Sequence, residues 1–219
     1  MKQTIVGVFA HPDDEAFGPA GTLATLAKEH DVYLICVTRG DAGLSSIDHN
    51  GDLGDVRLAE LQNSARILGV KEVFFLNYKD GTLCNNIYHQ VAKDIQKHLD
   101  ILKPETLITF EQRGVSGHID HIAVSMITSF LYNKLEYVRY LWYFCIDTRH
   151  RTAFKDYFIY FPPGYDPSEY NQTIDVSNVW DVKMKAIHQH KSQQGDIDKI
   201  VPIMESLPKE EYFIAIEKP

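Results

Sequence analysis

The chain opens on Thr4-Ile5-Val6-Gly7-Val8-Phe9, an unbroken apolar run of the kind found in strands buried on both faces of a parallel sheet. Asp31 to Val37, Val73 to Leu76, Thr106 to Phe110 and Val138 to Cys145 read as four further strands, each preceded by a stretch of helical period. The first such stretch runs from Gly21 to His30, with Leu23, Leu26 and Ala27 on one face. The second follows Asp55, the predicted N-cap, and repeats Leu58, Leu61, Ala65 and Leu68 until Gly69 stops it. The third spans Ile87 to Leu102, closed by Pro104, and the fourth starts near Ile119 and carries Ile122, Ile127 and Leu131. Strands alternating with helical crossovers predict an α/β fold: a Rossmann-like, mostly parallel sheet with right-handed connections and helices on both faces.

Beyond residue 146 the pattern loosens. Tyr157 to Phe161 and Thr173 to Val176 read as strands around a Pro- and Gly-containing loop, Val179 to His190 and Ile197 to Ser206 as helices, and Tyr212 to Ile216 as a last strand. Residues 146–219 are expected to form a C-terminal β/α extension of a single domain spanning 1–219.

Composition narrows the partners. A net charge of -8 and a pI near 5.6, with no block of Lys or Arg, argue against nucleic acid. Cys36, Cys84 and Cys145 are odd in number and far apart, which predicts reduced thiols in a cytoplasmic protein. No run approaches the ~18 apolar residues of a membrane span. The first apolar run meets His11-Pro12-Asp13-Asp14 too early for a secretory leader. A small-molecule substrate is the expected partner, and an oligomer formed through the tail is compatible with the sequence.

The chemistry gathers in two stretches. Phe9-Ala10-His11-Pro12-Asp13-Asp14-Glu15 follows strand one, and Gly117-His118-Ile119-Asp120-His121 lies beyond strand four. In open α/β sheets ligands sit outside the carboxyl ends of the strands, so both stretches fall where a site is expected. Imidazole and carboxylate suit a divalent metal, zinc foremost, although the same donors serve iron(II), cobalt or manganese. His11 and Asp14 are spaced to reach one ion, leaving Asp13 for a water, and His118 and His121 share one face of a first helical turn. A helix-start role for the acids alone would leave His11, His118 and His121 unexplained. Neither a G-x-G-x-x-G nor a Walker pattern follows strand one, which sets aside a nucleotide-binding module.

These two stretches resemble the PIG-L/LmbE-like zinc N-deacetylases, which act on N-acetylglucosamine-containing compounds. Thr38-Arg39-Gly40-Asp41-Ala42-Gly43, Arg57-Leu58-Ala59-Glu60-Leu61, Leu68-Gly69-Val70, Asp80-Gly81, Lys183 to Ala186 and His190-Lys191-Ser192-Gln193 extend the likeness along most of the chain. The resemblance implies His11, Asp14 and His121 as zinc ligands, Asp13 as general base, and His118 as oxyanion stabiliser and acid. It also implies Asp120 as a carboxylate orienting a histidine. Arg57, Arg39 and Asp80 are the candidate substrate-binding residues. The plainer reading makes Arg57 a surface arginine paired with Glu60, Asp80 a turn former with Gly81, and His190 a polar residue at a helix end. Ile119 stands where the family often has proline, and Ser116 where some members carry a tyrosine. Arg149 and Arg151 would suit an acidic substrate. The expected activity is removal of an acetyl group from an N-acetylglucosamine-type sugar or conjugate. The alternatives are an amidase acting on a thiol conjugate or other acyl amide, and a catalytically silent metal- or sugar-binding protein.

Overall fold

The computed structural model describes residues 2–48, 51–84, 86–150 and 160–219. The alternating apolar runs do form a sheet. Seven strands lie in the order β3-β2-β1-β4-β5-β7-β6: β1 (Thr4–Phe9), β2 (Asp31–Thr38), β3 (Glu72–Tyr78), β4 (Thr106–Phe110), β5 (Tyr140–Cys145), β6 (Gln172–Asp175) and β7 (Glu210–Glu217). The first five are parallel, and β7 runs antiparallel to both β5 and β6. Strand β1 sits between β2 and β4, so the winding reverses there and the carboxyl ends of β1 and β4 lie side by side. That reversal is the crevice where open α/β sheets bind ligands, and it brings the two chemical stretches together.

The helices are α1 (Asp14–Phe17), α2 (Ala20–Leu26), α3 (Leu53–Leu68), α4 (Tyr88–Leu102), α5 (Gly114–Gly117, a kinked turn), α6 (Ile119–Lys134), α7 (Trp180–Ile187) and α8 (Gln194–Ser206). Every residue of β4 is buried, as are Leu34, Ile35, Leu61, Leu68, Ile95 and Leu99 from the surrounding elements. Burying a side chain of this size contributes about 1.5–3 kcal/mol, which is why the apolar pattern predicted the layers.

Three details differ from expectation, and a fourth cannot be compared. The cap of α3 is Asp52, whose carboxylate accepts from the Asp55 amide; Asp55 lies within the first turn. The first long helix stops at Leu26, and the acidic stretch makes the short α1 of its own. The tail strand Glu210–Glu217 is longer than its apolar centre suggests because it is hydrogen-bonded on both sides, to β5 and β6. The expected strand from Tyr157 to Phe161 lies outside the described residues except for its last two positions.

Candidate active site

The turn after β1 is built under constraint. Asp13 has φ 136° and ψ -21°, unusual for a residue with a side chain. Its carbonyl accepts from Ala16 and Phe17, its amide donates to Glu15 Oε2, and Arg57 Nη2 donates to its Oδ2 at 2.9 Å. Asp14 Oδ2 accepts from the His11 amide at 2.6 Å, closing the turn. On the other side, Val115 has φ 61° and ψ -63°, and Gly114 before it has φ 72°. Glu111 anchors this bend through the Arg113 and Val115 amides. A Cβ on Gly114 would come within 2.9 Å of the His121 side chain.

The result is a convergence of donor atoms. His11 Nδ1 lies 3.1 Å from His121 Nε2 and 3.6 Å from Asp14 Oδ2, and His121 Nε2 lies 3.2 Å from Asp14 Oδ1. Tetrahedral ligands about 2.0–2.1 Å from an ion stand about 3.3 Å apart, so this trio has the spacing of a metal site before any ion enters. The opposite nitrogens are fixed from behind. His121 Nδ1 meets the Gly114 carbonyl at 3.0 Å, and its ring stacks on Phe110 with centroids 4.1 Å apart. His11 Nε2 faces Asp80 Oδ1 at 3.0 Å and Asp120 Oδ2 at 3.4 Å. Asp120 is held in turn by the Gly81 and Leu83 amides.

A nitrogen of His118 also lies within 4.8 Å of His11 and His121, which makes a three-histidine set geometrically open. The Asp14 set is the better match. His118 Nδ1 is already occupied as the cap of α6, accepting from the Asp120 amide at 3.2 Å. Asp14 has no competing cation except the two histidines. Asp80 and Asp120 form another carboxylate group with His11, but they face its far nitrogen and support the ring rather than the ion.

Electrostatics follow this geometry. Burial raises the Asp13 carboxyl to about 6 despite the Arg57 guanidinium, which pulls the other way. Asp14 is driven below the usual carboxylate range: its burial is outweighed by His121 and His11. Burial opposes charge on His11, but the hydrogen bonds it donates to Asp120 and Asp80 win and lift it to about 10. His118 goes down to about 4, through burial and the neighbouring His11 and His121.

Several expected residues stand elsewhere than the sequence suggested. Arg57 is 4% exposed and is no surface arginine. Its guanidinium donates to the Gly40 and Pro12 carbonyls as well as to Asp13, and it lines the cavity beside that acid. The glycine-rich loop after β2 exists for this: a Cβ on Gly40 would lie 2.5 Å from Arg57 Nη1. Glu60, its supposed partner, instead accepts from the Ser192 amide and hydroxyl. Arg39 is not among the residues lining the cavity and pairs with Asp52 and Asp55 at the start of α3. Asp80 is more than a turn former, since it holds His11, and Asp41 holds the Asp80 amide. Arg149 pairs with Asp147, and Arg151 lies outside the described residues.

Buried pairings between distant residues escaped the sequence reading. Glu15, 1% exposed, accepts from Ser64 and from His190, and His190 is fully buried. Lys183, 2% exposed, pairs with Glu211 at 2.6 Å, and Glu211 also accepts the Gly21 and Thr22 amides. These contacts join positions 28 to 190 residues apart, so no local pattern announces them. His150 is buried and lines the cavity.

The cluster opens into a cavity of about 650 Å³. His11, Asp13, Asp14, His118 and His121 form its floor, and Phe17, Phe144, Ile146, Phe161 and Ile200 form much of its wall. Polar floor and apolar wall suit a small molecule with one hydrolysable polar group.

Comparison with known proteins agrees with this geometry. The chain is 27% identical over 199 residues to the probable N-acetyl-alpha-D-glucosaminyl L-malate deacetylase 2 of Bacillus subtilis, covering 88% of this chain and 84% of that one. Its fold matches the N,N'-diacetylchitobiose deacetylase of Pyrococcus horikoshii with a TM-score of 0.76 at 22% identity, over 98% of this chain and 84% of that one. The 4-carboxy-2-hydroxymuconate hydratase GalB of Pseudomonas putida shares the fold as well (TM-score 0.70, 16% identity, 100% and 98% of the two chains), so the fold by itself does not name the reaction. The family model described as GlcNAc-PI de-N-acetylase matches residues 6–131, the segment that carries both chemical stretches. The chain belongs to the PIG-L family.

Proposed function

We propose that the protein is a metal-dependent hydrolase that removes the acetyl group from an N-acetylglucosamine-type sugar or its conjugate. The observation that carries this reading is the convergence of His11 Nδ1, Asp14 and His121 Nε2 beside an Asp13 carboxylate pinned by Arg57. The relatives are deacetylases of N-acetylglucosaminyl compounds, which supports the same substrate class. The donor set favours zinc and also suits iron(II). A divalent ion held by these three side chains would supply a Lewis acid that acidifies water and polarises the acetamide carbonyl.

The chain's own residues do the rest. Asp13 takes the proton of the attacking water, a task for which a buried carboxylate lifted to about 6 is suited at neutral pH. His118, lowered to about 4, is neutral at that pH, and its Nδ1 accepts the Asp120 amide. Its proton therefore sits on Nε2, where it donates to the oxygen that gains charge. The proton held by Asp13 then passes to the departing nitrogen, and acetate and a free amine leave. Asp80 and Asp120 keep the His11 ring in the tautomer that offers Nδ1.

The test is acetate release by metal-loaded protein from a panel of N-acetylglucosaminyl conjugates, with Asp13→Asn alongside. Release that collapses in the variant at unchanged metal content supports the reading. No release from any conjugate, with one ion bound per chain, would refute it. Such activity on a small sugar conjugate fits a cytoplasmic setting, and among the described residues no helix is long and apolar enough to cross a membrane.

A further inference from the structure

The contacts of Glu15 are unlike those of an ordinary helix-start acid. It lies in the first turn of α1, and its carboxylate faces inward. Oε2 accepts the Asp13 amide at 3.1 Å. Oε1 accepts the Ser64 hydroxyl at 2.5 Å and meets His190 Nε2 at 2.8 Å. Ser64 comes from the middle of α3, and His190 follows α7, outside the segment matched by the family model.

His190 is fully buried, and its Nδ1 has no hydrogen-bond partner among the described residues. An unsatisfied buried polar atom costs about 1–3 kcal/mol. A core position selected for packing alone would hold an apolar side chain and avoid that cost. What the imidazole does supply is a donor to Glu15. Glu15 in turn holds the amide of Asp13, whose backbone sits at φ 136°. Such a conformation costs on the order of 1–3 kcal/mol and persists only where its surroundings enforce it.

From this chain of contacts we infer that His190 and Ser64 are positioning residues. Through Glu15 they hold the Asp13 peptide in its strained conformation and so aim the Asp13 carboxylate. Glu15 touches neither the donor trio nor the cavity surface, so its effect on turnover passes through Asp13. The inference rests on the role proposed for Asp13. Its consequence is specific: the tail beyond residue 131 contributes to catalysis by way of the first motif, not merely by closing the sheet.

The variants His190→Leu, His190→Gln and Ser64→Ala test it in metal-loaded protein. His190→Leu removes the donor and keeps bulk; His190→Gln restores an N–H to Glu15; Ser64→Ala cuts a bond without opening a large void. The expectation is a fall in kcat of about tenfold or more in His190→Leu, with unchanged KM and metal content, because small misplacements of a catalytic group are costly. His190→Gln should recover most of the loss, and Ser64→Ala should show the same pattern more weakly. Unchanged kcat in both His190→Leu and Ser64→Ala, while Asp13→Asn is inactive, would overturn the positioning role and leave the deacetylase reading intact. Hydrogen exchange at the Asp13 amide reads the link without substrate. It should accelerate in His190→Leu and Ser64→Ala while the β1 amides stay protected, and equal protection in all three proteins would overturn the inference even if no conjugate is turned over. Should His190→Leu fail to fold, Ser64→Ala and His190→Gln carry both readouts.

Discussion

Replacing Arg57 with methionine asks how much of the Asp13 carboxylate, the proposed base, is made by its neighbour. The arginine is 4% exposed and its Nη2 lies 2.9 Å from Asp13 Oδ2. Methionine keeps most of the stem and deletes the charge. Two consequences follow with defined signs. Burial already holds Asp13 at about 6, and the guanidinium is the largest opposing influence. Removing an opposite charge at this distance raises a carboxyl pKa by about 1–3. The base works ionised, so kcat/KM rises with pH through the Asp13 pKa, and the acid limb should move to higher pH in Arg57→Met. At pH 7 the ionised share of Asp13 would fall from roughly nine-tenths to roughly half or less. A bound dication lowers the limb in both proteins, so the difference between them is the quantity to read. The second consequence concerns stability. A buried carboxylate without its partner costs about 3–5 kcal/mol, and the Gly40 and Pro12 carbonyls lose a donor as well. Denaturant unfolding measures that loss, and kcat/KM against pH measures the first. An acid limb that stays in place in folded, metal-loaded Arg57→Met would refute the claim that Arg57 sets the ionisation of Asp13.

Other outcomes can be stated more briefly. His11 stands at about 10 in the metal-free protein, so an ion must displace a proton to bind; metal affinity should climb as pH rises towards that value, with proton release visible by calorimetry in two buffers. A pH-independent affinity between 6 and 9 would speak against His11 as a ligand. Lys183→Met strands the Glu211 carboxylate between α2 and β7 and should cost about 3–5 kcal/mol in urea unfolding, because the pair is 2–3% exposed. Asp52→Ala removes the cap of α3 and one partner of Arg39; about 1 kcal/mol of stability should be lost with catalysis unaffected. Activity falling in step with stability there would tie the α3 start to the site after all.

The layers were legible in the sequence, and so was the place of the candidate site. Continuous apolar runs such as Thr4–Phe9 bury both faces of a strand, and their alternation with helical periods leaves few topologies. His11, Asp13, Asp14, His118, Asp120 and His121 were legible as one candidate cluster because each motif is local and lies beyond the carboxyl end of a strand. Only the tertiary structure decided what the remaining polar residues do. Arg57 carries the same letters whether it faces water or Asp13; the Gly40 carbonyl, 17 positions away, turns it inward. Asp80 became a support for His11, and Arg39 a clasp on α3, through contacts that no periodicity encodes. Glu15 and His190 meet across 175 positions. A buried ionisable group is tolerable only if the fold brings it a partner, and which partner arrives is settled by the strand order β2-β1-β4 and the packing of α3 and α7 against it, not by any stretch of the chain read alone.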